Sequence, residues 1–227
     1  MVDAGTGLIP VVILGSGGHA LVIWDVLESA GSYDLLGFTD PSLPAGHLRH
    51  LGSAARPVLG DDAVLPALVS AHPDLQMIAG VGPEPEKVRR GMVETIEALG
   101  AARALTVCHS SAIISRSARI GRGSVVMAGA VINPGANIGN HCVVNTGATV
   151  DHECEVGDGV FVAPGVHLGG RVVLAEGVVV GIGASVRDKV RVGRGAYIGG
   201  GAFVHRDVPA GALVVGVPAR LLRYRGD

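Results

Sequence analysis

A histidine and a glutamate stand side by side in the segment NTGATVDHECEVGDG, residues 145–159, and they are the best candidates for acid–base chemistry in the chain. A neutral imidazole can take up a proton near neutral pH, and a neighbouring carboxylate can orient the ring. Asn145 and Asp151 place two further polar groups close to His152 and Glu153 in the sequence. The alternative for such a histidine is a solvated surface residue, so the spacing of the surrounding residues matters.

A period of six residues surrounds this pair. From Ile114 to Val204 every sixth residue is aliphatic, and from Ala118 to Val208 every sixth residue is small or valine. This period fits neither an α-helix nor an alternating strand. It is typical of a parallel β-helix, in which three hexads complete one coil and successive coils stack at about 4.8 Å. The run 108–209 would supply about five to six coils of such a prism.

The hexads place His152 outside the core of this prism. Val150 and Cys154 take the two inward positions of its hexad, and Gly170 takes the matching position one coil later. Residues 18 apart occupy the same position on successive coils and form a column along the prism. In two neighbouring columns the polar side chains give way to small or apolar ones: Asn145 is followed by Ala163, Gly181 and Gly199, and Thr146 by Pro164, Ile182 and Gly200. A polar patch followed by a face with exposed backbone amides predicts a groove for a long, thin ligand.

A second candidate site lies in the glycine-rich segment GSGGHA, residues 15–20. Glycines let a ligand approach the backbone, and free amides at a helix N-terminus attract phosphate. Gly15-x-Gly17-x-x-Ala20 followed by Asp40 also satisfies a loose dinucleotide-binding pattern. The unit is short for a full NAD-binding domain, and no second domain suited to hydride transfer follows. A nucleotide diphosphate is therefore the favoured ligand, with a plain tight turn as the alternative.

Alternating strands and helices position that segment. We expect strands at 10–14, 34–40, 75–82 and 102–107, helices at 18–30, 61–71 and 85–100, and an irregular excursion at 41–60. This order predicts a small Rossmann-like α/β domain with a parallel sheet, residues 1–107. The all-β domain follows as residues 108–227 and ends in a C-terminal cap. The fold class is therefore α/β plus all-β.

Composition narrows the function classes. The net charge of −2, with no basic block, argues against a nucleic-acid partner, and no apolar run approaches the roughly 18 residues of a membrane span. The start of the chain lacks a signal-peptide pattern, and three cysteines without a CxxC pair indicate reduced thiols in a cytoplasmic protein. A zinc site is disfavoured because the histidines of the prism fall in different columns: His109, His141, His152, His167 and His205.

Several segments together resemble one branch of the hexapeptide-repeat acyltransferases. They are GSGGHA (15–20), FTD (38–40), HSSAIIS (109–115), NTGATVDHEC (145–154), GGG (199–201) and VGVPAR (215–220). The branch contains sialic acid O-acetyltransferases and nucleotide-amino-sugar N-acetyltransferases. The resemblance implies a left-handed β-helix, a homotrimer with the active site between subunits, and N-acetylation of a nucleotide-linked 4-amino-4,6-dideoxy sugar by acetyl-CoA. O-acetylation of a sialic acid and a non-catalytic nucleotide-sugar-binding scaffold are the alternatives.

The resemblance also implies roles for individual residues. His152 would be the general base and Glu153 its support. The sugar nucleotide would be held by Ser16, Gly17, Gly18, His19, Asp40 and Asn145. Acetyl-CoA would lie against Phe161, Gly170, Gly181, Ile182 and Gly200, with backbone amides of the glycines meeting its thioester and pantetheine arm. Two positions depart from the family pattern: Phe161 replaces a usual histidine, and Pro83-Glu84 replaces a usual asparagine or aspartate pair.

Overall fold

The computed structural model describes residues 7–83 and 86–225, and the chain divides into two compact units, Met1–Val107 and Cys108–Asp227. Each unit has its own sheets and core. Within the described ranges, no helix combines the length and the apolar character needed to cross a membrane.

The first unit is a five-stranded sheet with three α-helices. Its strands are β1 (Ile9–Leu14), β2 (Tyr33–Thr39), β3 (Leu48–Leu51), β4 (Ala54–Gly60) and β5 (Gln76–Ala79), in the order β3-β4-β2-β1-β5. The helices are α1 (Gly18–Ala30), α2 (Leu65–Ala71) and α3 (Glu86–Leu99). β1 pairs in parallel with β2 and β5, and β2 with β4, while β3 and β4 form an antiparallel hairpin. β1 is buried from its second residue onward, as expected of a central parallel strand.

Two predictions for this unit are wrong in detail. The segment 41–60 is not irregular throughout, because it contains the β3–β4 hairpin; the half-buried, proline-containing β4 lacks the apolar alternation that identifies a strand. The strand predicted at 102–107 is absent: Ala101–Arg103 form a 3₁₀ turn, and Ala104 makes an isolated bridge to Met77.

The helices lie close to their predicted positions. A 3₁₀ turn, Asp62–Val64, precedes α2, and the Asp61 carboxylate accepts the Ala63 N–H at its start. α1 ends at Gly31, whose left-handed backbone (φ 67°) closes the helix with a hydrogen bond to the Leu27 carbonyl. Pro85, where the third helix was expected to begin, lies outside the described residues.

The second unit is a parallel β-helix of three sheets. Sheet 1 contains β6 (Val107–Cys108), β9 (Val125–Val126), β12 (Val143–Val144), β15 (Phe161–Val162), β18 (Val179–Val180), β21 (Tyr197–Ile198), β23 (Ala212–Val215) and β24 (Arg220–Tyr224). Sheet 2 contains β7 (Ile113–Ile114), β10 (Val131–Ile132), β13 (Thr149–Val150), β16 (His167–Leu168), β19 (Ser185–Val186) and β22 (Phe203–Val204). Sheet 3 contains β8 (Arg119–Ile120), β11 (Asn137–Ile138), β14 (Glu155–Val156), β17 (Val173–Leu174) and β20 (Arg191–Val192).

The hexad pattern predicts the interior of this prism correctly beyond its first coil, where the predicted inward residues Ile114, Ala118 and Ile120 are only half-buried. Every aliphatic hexad residue from Val126 to Val204 is buried, and so is every small one from Ser124 to Val208. Two-residue strands pair in parallel with the strand 18 residues away, as β13 does with β10 and β16. β23 and β24 end the prism as an antiparallel hairpin.

The corners between sheets differ in one backbone position. From residue 123 to residue 201 each corner turns through a residue at positive φ, a conformation that costs an L-residue about 1–2 kcal/mol and glycine little. Between sheets 1 and 2 this residue is always glycine, at positions 129, 147, 165, 183 and 201, which we call the glycine corner. Between sheets 2 and 3 it is Gly135, Glu153, Arg171 and Lys189. We call residues 151–153, 169–171 and 187–189 the charged corner.

Candidate active site

His152, Glu153 and Arg171 form a chain of contacts at the charged corner. His152 Nδ1 lies 3.2 Å from Glu153 Oε2, and Arg171 Nε donates to the same oxygen at 2.8 Å. All three side chains are about half exposed, with 48% of the His152 side chain accessible. The imidazole is therefore open to a ligand while one of its nitrogens faces a carboxylate.

The backbone of His152 is fixed by the coils on either side. Its N–H donates to Asp151 Oδ1 at 2.6 Å, and the same oxygen accepts Asn133 Nδ2 from the preceding coil at 3.1 Å. The His152 carbonyl accepts the Arg171 N–H of the following coil at 2.9 Å. The backbone of His152 is thus part of a hydrogen-bonded ladder between successive coils.

Gly170 provides the surface on which the imidazole rests. A Cβ added to Gly170 would lie 2.5 Å from His152 Nε2 and 2.7 Å from its Cε1, closer than such atoms can approach. Gly170 is buried, and its φ lies outside the left-handed region, so the backbone alone does not require glycine there. The missing side chain is explained by the ring above it.

The electrostatics of the corner keep Glu153 charged. The hydrogen bond from Arg171, followed by that from His152, lowers the pKa of Glu153 below its ordinary value. A charged carboxylate at Nδ1 favours the tautomer with the proton on Nδ1 and the lone pair on Nε2.

Cys154 does not contribute a nucleophile. It is fully buried, as predicted, and its Sγ lies 3.1 Å from the Gly169 carbonyl. Burial raises the pKa of the thiol to about 11, which leaves it protonated and unreactive at neutral pH.

Except for Gly170, the predicted acetyl-CoA residues lie away from the charged corner within one chain. Gly181, Ile182 and Gly200 occupy the corner between sheets 1 and 2, and Asn145 begins that corner two coils earlier, whereas His152 and Gly170 follow sheet 2. Asn145 and His152 are close in the sequence, which suggested a single patch. They lie at different corners of the triangular coil, and the corners point in different directions.

The backbone amides of these glycines differ in their availability. Gly181 N–H already donates to the Ile198 carbonyl at 2.7 Å, so it is not open to a ligand. Gly170 and Gly200 N–H donate no hydrogen bond within residues 7–83 and 86–225. Ile182 is 65% exposed beside Gly200, which leaves an apolar surface next to an open amide.

Asn145 and Phe161 are both held within the structure. Asn145 is 8% exposed, and its Oδ1 accepts the Thr146 N–H at 2.8 Å. The NH2 group of the same side chain has no protein acceptor among the described residues. Phe161 is 5% exposed and pairs with Val143 and Val179 in sheet 1. Its ring makes this part of sheet 1 apolar where the family usually has a histidine.

In the α/β unit, Ser16, Asp40 and Ser42 form a closed cluster. Asp40 Oδ2 accepts the Ser16 N–H (3.3 Å) and hydroxyl (2.5 Å), and Oδ1 accepts the Ser42 N–H (2.9 Å) and hydroxyl (2.5 Å). Burial alone would raise the pKa of Asp40, but these hydrogen bonds outweigh it and lower the pKa. Asp40 therefore links the turn at Ser16 to Ser42 by hydrogen bonds.

The glycines of the turn fall into two kinds. Gly15 has φ 92°, and a Cβ there would lie 2.9 Å from Val81 Cγ1, so the fold itself requires glycine. Gly17 and Gly18 have ordinary φ, and a Cβ on either would meet only open space. Gly17 is the N-cap of α1, where glycine is common, and the absence of a side chain at both positions leaves room for close approach of a ligand.

His19 follows these glycines in the first turn of α1. Burial, with a smaller effect of the Arg89 charge, lowers the pKa of His19 to about 4. The ring is therefore neutral at physiological pH and can serve as a polar contact without carrying charge.

The described residues contain no group of three or more metal-ligating side chains. Two of the prism histidines have neighbours of their own: His109 Nδ1 accepts the Ser111 N–H at 3.0 Å, and His167 Nδ1 lies 2.9 Å from the Thr149 hydroxyl. Of the second departure from the family pattern, Pro83 is described and Glu84 lies outside the described residues.

Sequence reasoning missed Arg171. A signal was available, because between residues 123 and 201 the hexad position that Arg171 occupies is glycine except at 141, 153, 171 and 189. Three of these interruptions are 18 residues apart and so share one corner. Grouping these non-glycine residues by their spacing of 18 would have placed Arg171 next to Glu153 on the adjacent coil.

Residues 10–96 match the family model of the PglD N-terminal domain. The acetyltransferase domain of PglB from Neisseria gonorrhoeae FA1090 is 34% identical, with 94% of this chain and 100% of that chain covered and a TM-score of 0.84. A second structure of that domain contains acetyl coenzyme A. These likenesses confirm the predicted fold class, including the left-handed β-helix.

Two further structures cover almost the whole chain. GDP-perosamine N-acetyl transferase from Caulobacter crescentus, a histidine-to-alanine mutant in complex with CoA and GDP-perosamine, is 33% identical over 96% of this chain and 97% of that one, with a TM-score of 0.82. WeeI from Acinetobacter baumannii AYE is 26% identical over 93% and 99%, with a TM-score of 0.78. No curated protein sequence matches the chain.

Proposed function

The chain belongs to the PglD-type sugar acetyltransferases, and from that premise we propose that it transfers the acetyl group of acetyl-CoA to the amino group of a nucleotide-linked 4-amino-4,6-dideoxy sugar. The structures of its relatives contain acetyl-CoA, CoA and GDP-perosamine. We place the reaction in the cytoplasm, where acetyl-CoA and nucleotide sugars are available, within the biosynthesis of a polysaccharide or glycan.

The observation that carries this proposal is the mounting of His152 over Gly170 with Nδ1 toward a charged Glu153. The sugar amine attacks the thioester carbonyl carbon, and His152 Nε2 accepts the proton that the nitrogen loses. The tetrahedral oxyanion then collapses, the C–S bond breaks, and the CoA thiolate leaves and takes the proton from the imidazolium. The acetyl group passes directly to the amine, with no acyl-enzyme, consistent with the inert Cys154.

Acetyl-CoA would lie along the prism and use open backbone amides. Gly170 N–H is a suitable donor to the developing oxyanion, and Gly200 N–H with Ile182 suits the pantetheine arm. Because Gly170 and Gly200 lie at different corners of one prism, a site that uses both needs two chains. This supports a homotrimer in which the charged corner of one subunit faces the glycine corner of the next.

The nucleotide would be held by the turn Ser16–His19 of the α/β unit. Gly17 and Gly18 leave the backbone open to phosphate, and the amides of the first turn of α1 favour an anion. Asp40 acts indirectly in this proposal, by holding Ser16 and Ser42. Asn145, with its free amide donor, would contact the sugar.

The test is an acceptor panel in which release of the CoA thiol is measured. UDP-, GDP- and dTDP-linked 4-amino-4,6-dideoxy sugars are compared with free sialic acid, using wild type, His152→Ala and the control His167→Ala. We expect turnover with a nucleotide-linked amino sugar, and a loss of at least about a hundredfold in kcat for His152→Ala alone. Turnover with sialic acid only would support O-acetylation instead. Binding of CoA without turnover on any acceptor would indicate a scaffold.

A further inference from the structure

Arg171 occupies a backbone position that the rest of the prism assigns mainly to glycine. Its φ is 61°, and the same conformation is taken by Glu153 one coil earlier and by Lys189 one coil later. The Arg171 side chain donates from Nε to Glu153 Oε2 at 2.8 Å. Lys189, with the same backbone, makes no side-chain hydrogen bond or ion pair within the described residues.

A single carboxylate oxygen is shared by the base and by this cation. Glu153 Oε2 faces His152 Nδ1 and Arg171 Nε at the same time. The guanidinium both fixes the oxygen in place and balances part of its negative charge. Without that cation the whole negative charge of the carboxylate would act on the imidazole, which favours the protonated form of the ring.

The other charged groups of the corner are already engaged or distant from this oxygen. Asp151 accepts from Asn133 and from the His152 N–H. Arg187 and Asp188 lie 3.9 Å apart and pair with each other. Among the described residues, Arg171 is the cation that bonds Glu153.

From these contacts we propose that Arg171 is a positioning residue, which acts through Glu153 by holding the carboxylate against His152 Nδ1 and balancing part of its negative charge. The proposal rests on the role of His152 as general base. It adds a third member to the His152–Glu153 pair, supplied by the next coil of the same chain, and gives the charged side chain at a glycine position a chemical purpose.

The test compares Arg171→Gly with Lys189→Gly. Because glycine is the usual residue at this position, both changes remove a side chain without adding backbone strain. We measure kcat with saturating substrates from about pH 5.5 to 9, since the profile of kcat reports groups in the bound complex. In Arg171→Gly the acidic limb should move up by about one pH unit. In Lys189→Gly it should stay in place.

Two further measurements distinguish an error in the role of Arg171 from an error in the role of His152. In the background Glu153→Gln, where no carboxylate charge remains to be balanced, Arg171→Gly should move the limb by less than half as much. A limb in Arg171→Gly within about 0.2 pH units of wild type, or a full shift that persists in the Glu153→Gln background, would overturn the proposal. His152→Ala is measured first, because an unchanged rate there would refute the proposed base itself rather than the role of Arg171.

Discussion

In the α/β unit, the Asp40 carboxylate accepts four hydrogen bonds from Ser16 and Ser42, and the neighbouring His19 is kept neutral by burial. At the charged corner, the Glu153 carboxylate is exposed and is shared between Arg171 and His152. Both clusters pair a carboxylate with small polar or cationic donors. They differ in whether a proton acceptor remains accessible to a ligand.

Under the proposed function, we expect this difference to separate a binding cluster from a reactive one. A saturated, partly buried cluster holds one protonation state and one shape, which suits recognition of a nucleotide. An exposed imidazole with an oriented Nδ1 can change its protonation state during a reaction cycle. Substitutions in the first cluster should therefore change affinity or stability, and substitutions in the second should change turnover.

The largest effect that would sharpen this contrast concerns Gly170→Ala. The added Cβ would push the His152 ring off its support, so kcat should fall by roughly ten- to a hundredfold, the range over which misplaced general bases lose activity. Initial rates of thiol release measure this. Gly177→Ala is the matched control: its Cβ meets nothing, but φ is 68°, so it should cost about 1 kcal/mol of stability and leave kcat unchanged. Equal kcat in Gly170→Ala and wild type would contradict the assignment of the ring position.

A smaller effect should follow from Asp40→Asn. The Asn side chain has one acceptor oxygen where Asp40 has two, so it can accept from Ser16 or from Ser42 but not from both. The turn before α1 should therefore loosen, with a rise of about tenfold in KM for the nucleotide sugar and little change in kcat. Steady-state kinetics with varied sugar nucleotide measure both values. The control Asp34→Asn removes a long, exposed ion pair with Arg56 and should leave KM unaltered. A fall in kcat with constant KM would place Asp40 among the groups that act on the transition state.

The smallest effect concerns the pH dependence of stability. The folded state lowers the pKa of His19 from 6.5 to about 4, so the unfolded chain takes up the proton first and stability is lost as the pH falls below 6.5. Between pH 7 and 5.5 this should cost wild type about 1 kcal/mol more than His19→Asn. Urea unfolding at the two pH values measures the difference, with the exposed His50→Asn as control. The same loss in His19→Asn as in wild type would show that other groups cause it.

The prism could be predicted almost completely from the sequence, because its period is imposed by geometry at every coil. An inward position admits only a narrow range of volumes, as the buried run from Val126 to Val204 shows. The α/β unit could be predicted less well. The β3–β4 hairpin has little buried surface, so its sequence carries no periodic signal, and its place beside β2 depends on contacts distant in sequence.

For the candidate site, the sequence predicts which residues lie above one another on successive coils, but not which corners of the prism they share. His152 and Gly170 are 18 residues apart and were correctly placed on successive coils. Asn145 and Gly181 were expected beside them but lie at the corner between sheets 1 and 2, because linear spacing does not show the direction in which a corner points. Arg171 was missed because its importance comes from a hydrogen bond rather than from a motif.

The pairing of strands 18 residues apart has a consequence for length variation in this protein. An insertion of one whole coil would lengthen the prism by about 4.8 Å and return every later residue to its own face. An insertion of a single hexad between Glu153 and Arg171 would keep aliphatic residues inside, yet it would rotate everything beyond it to the next face and carry Arg171 away from Glu153. Viable homologues should therefore differ in this region by multiples of 18 residues, or by loops that leave the winding intact.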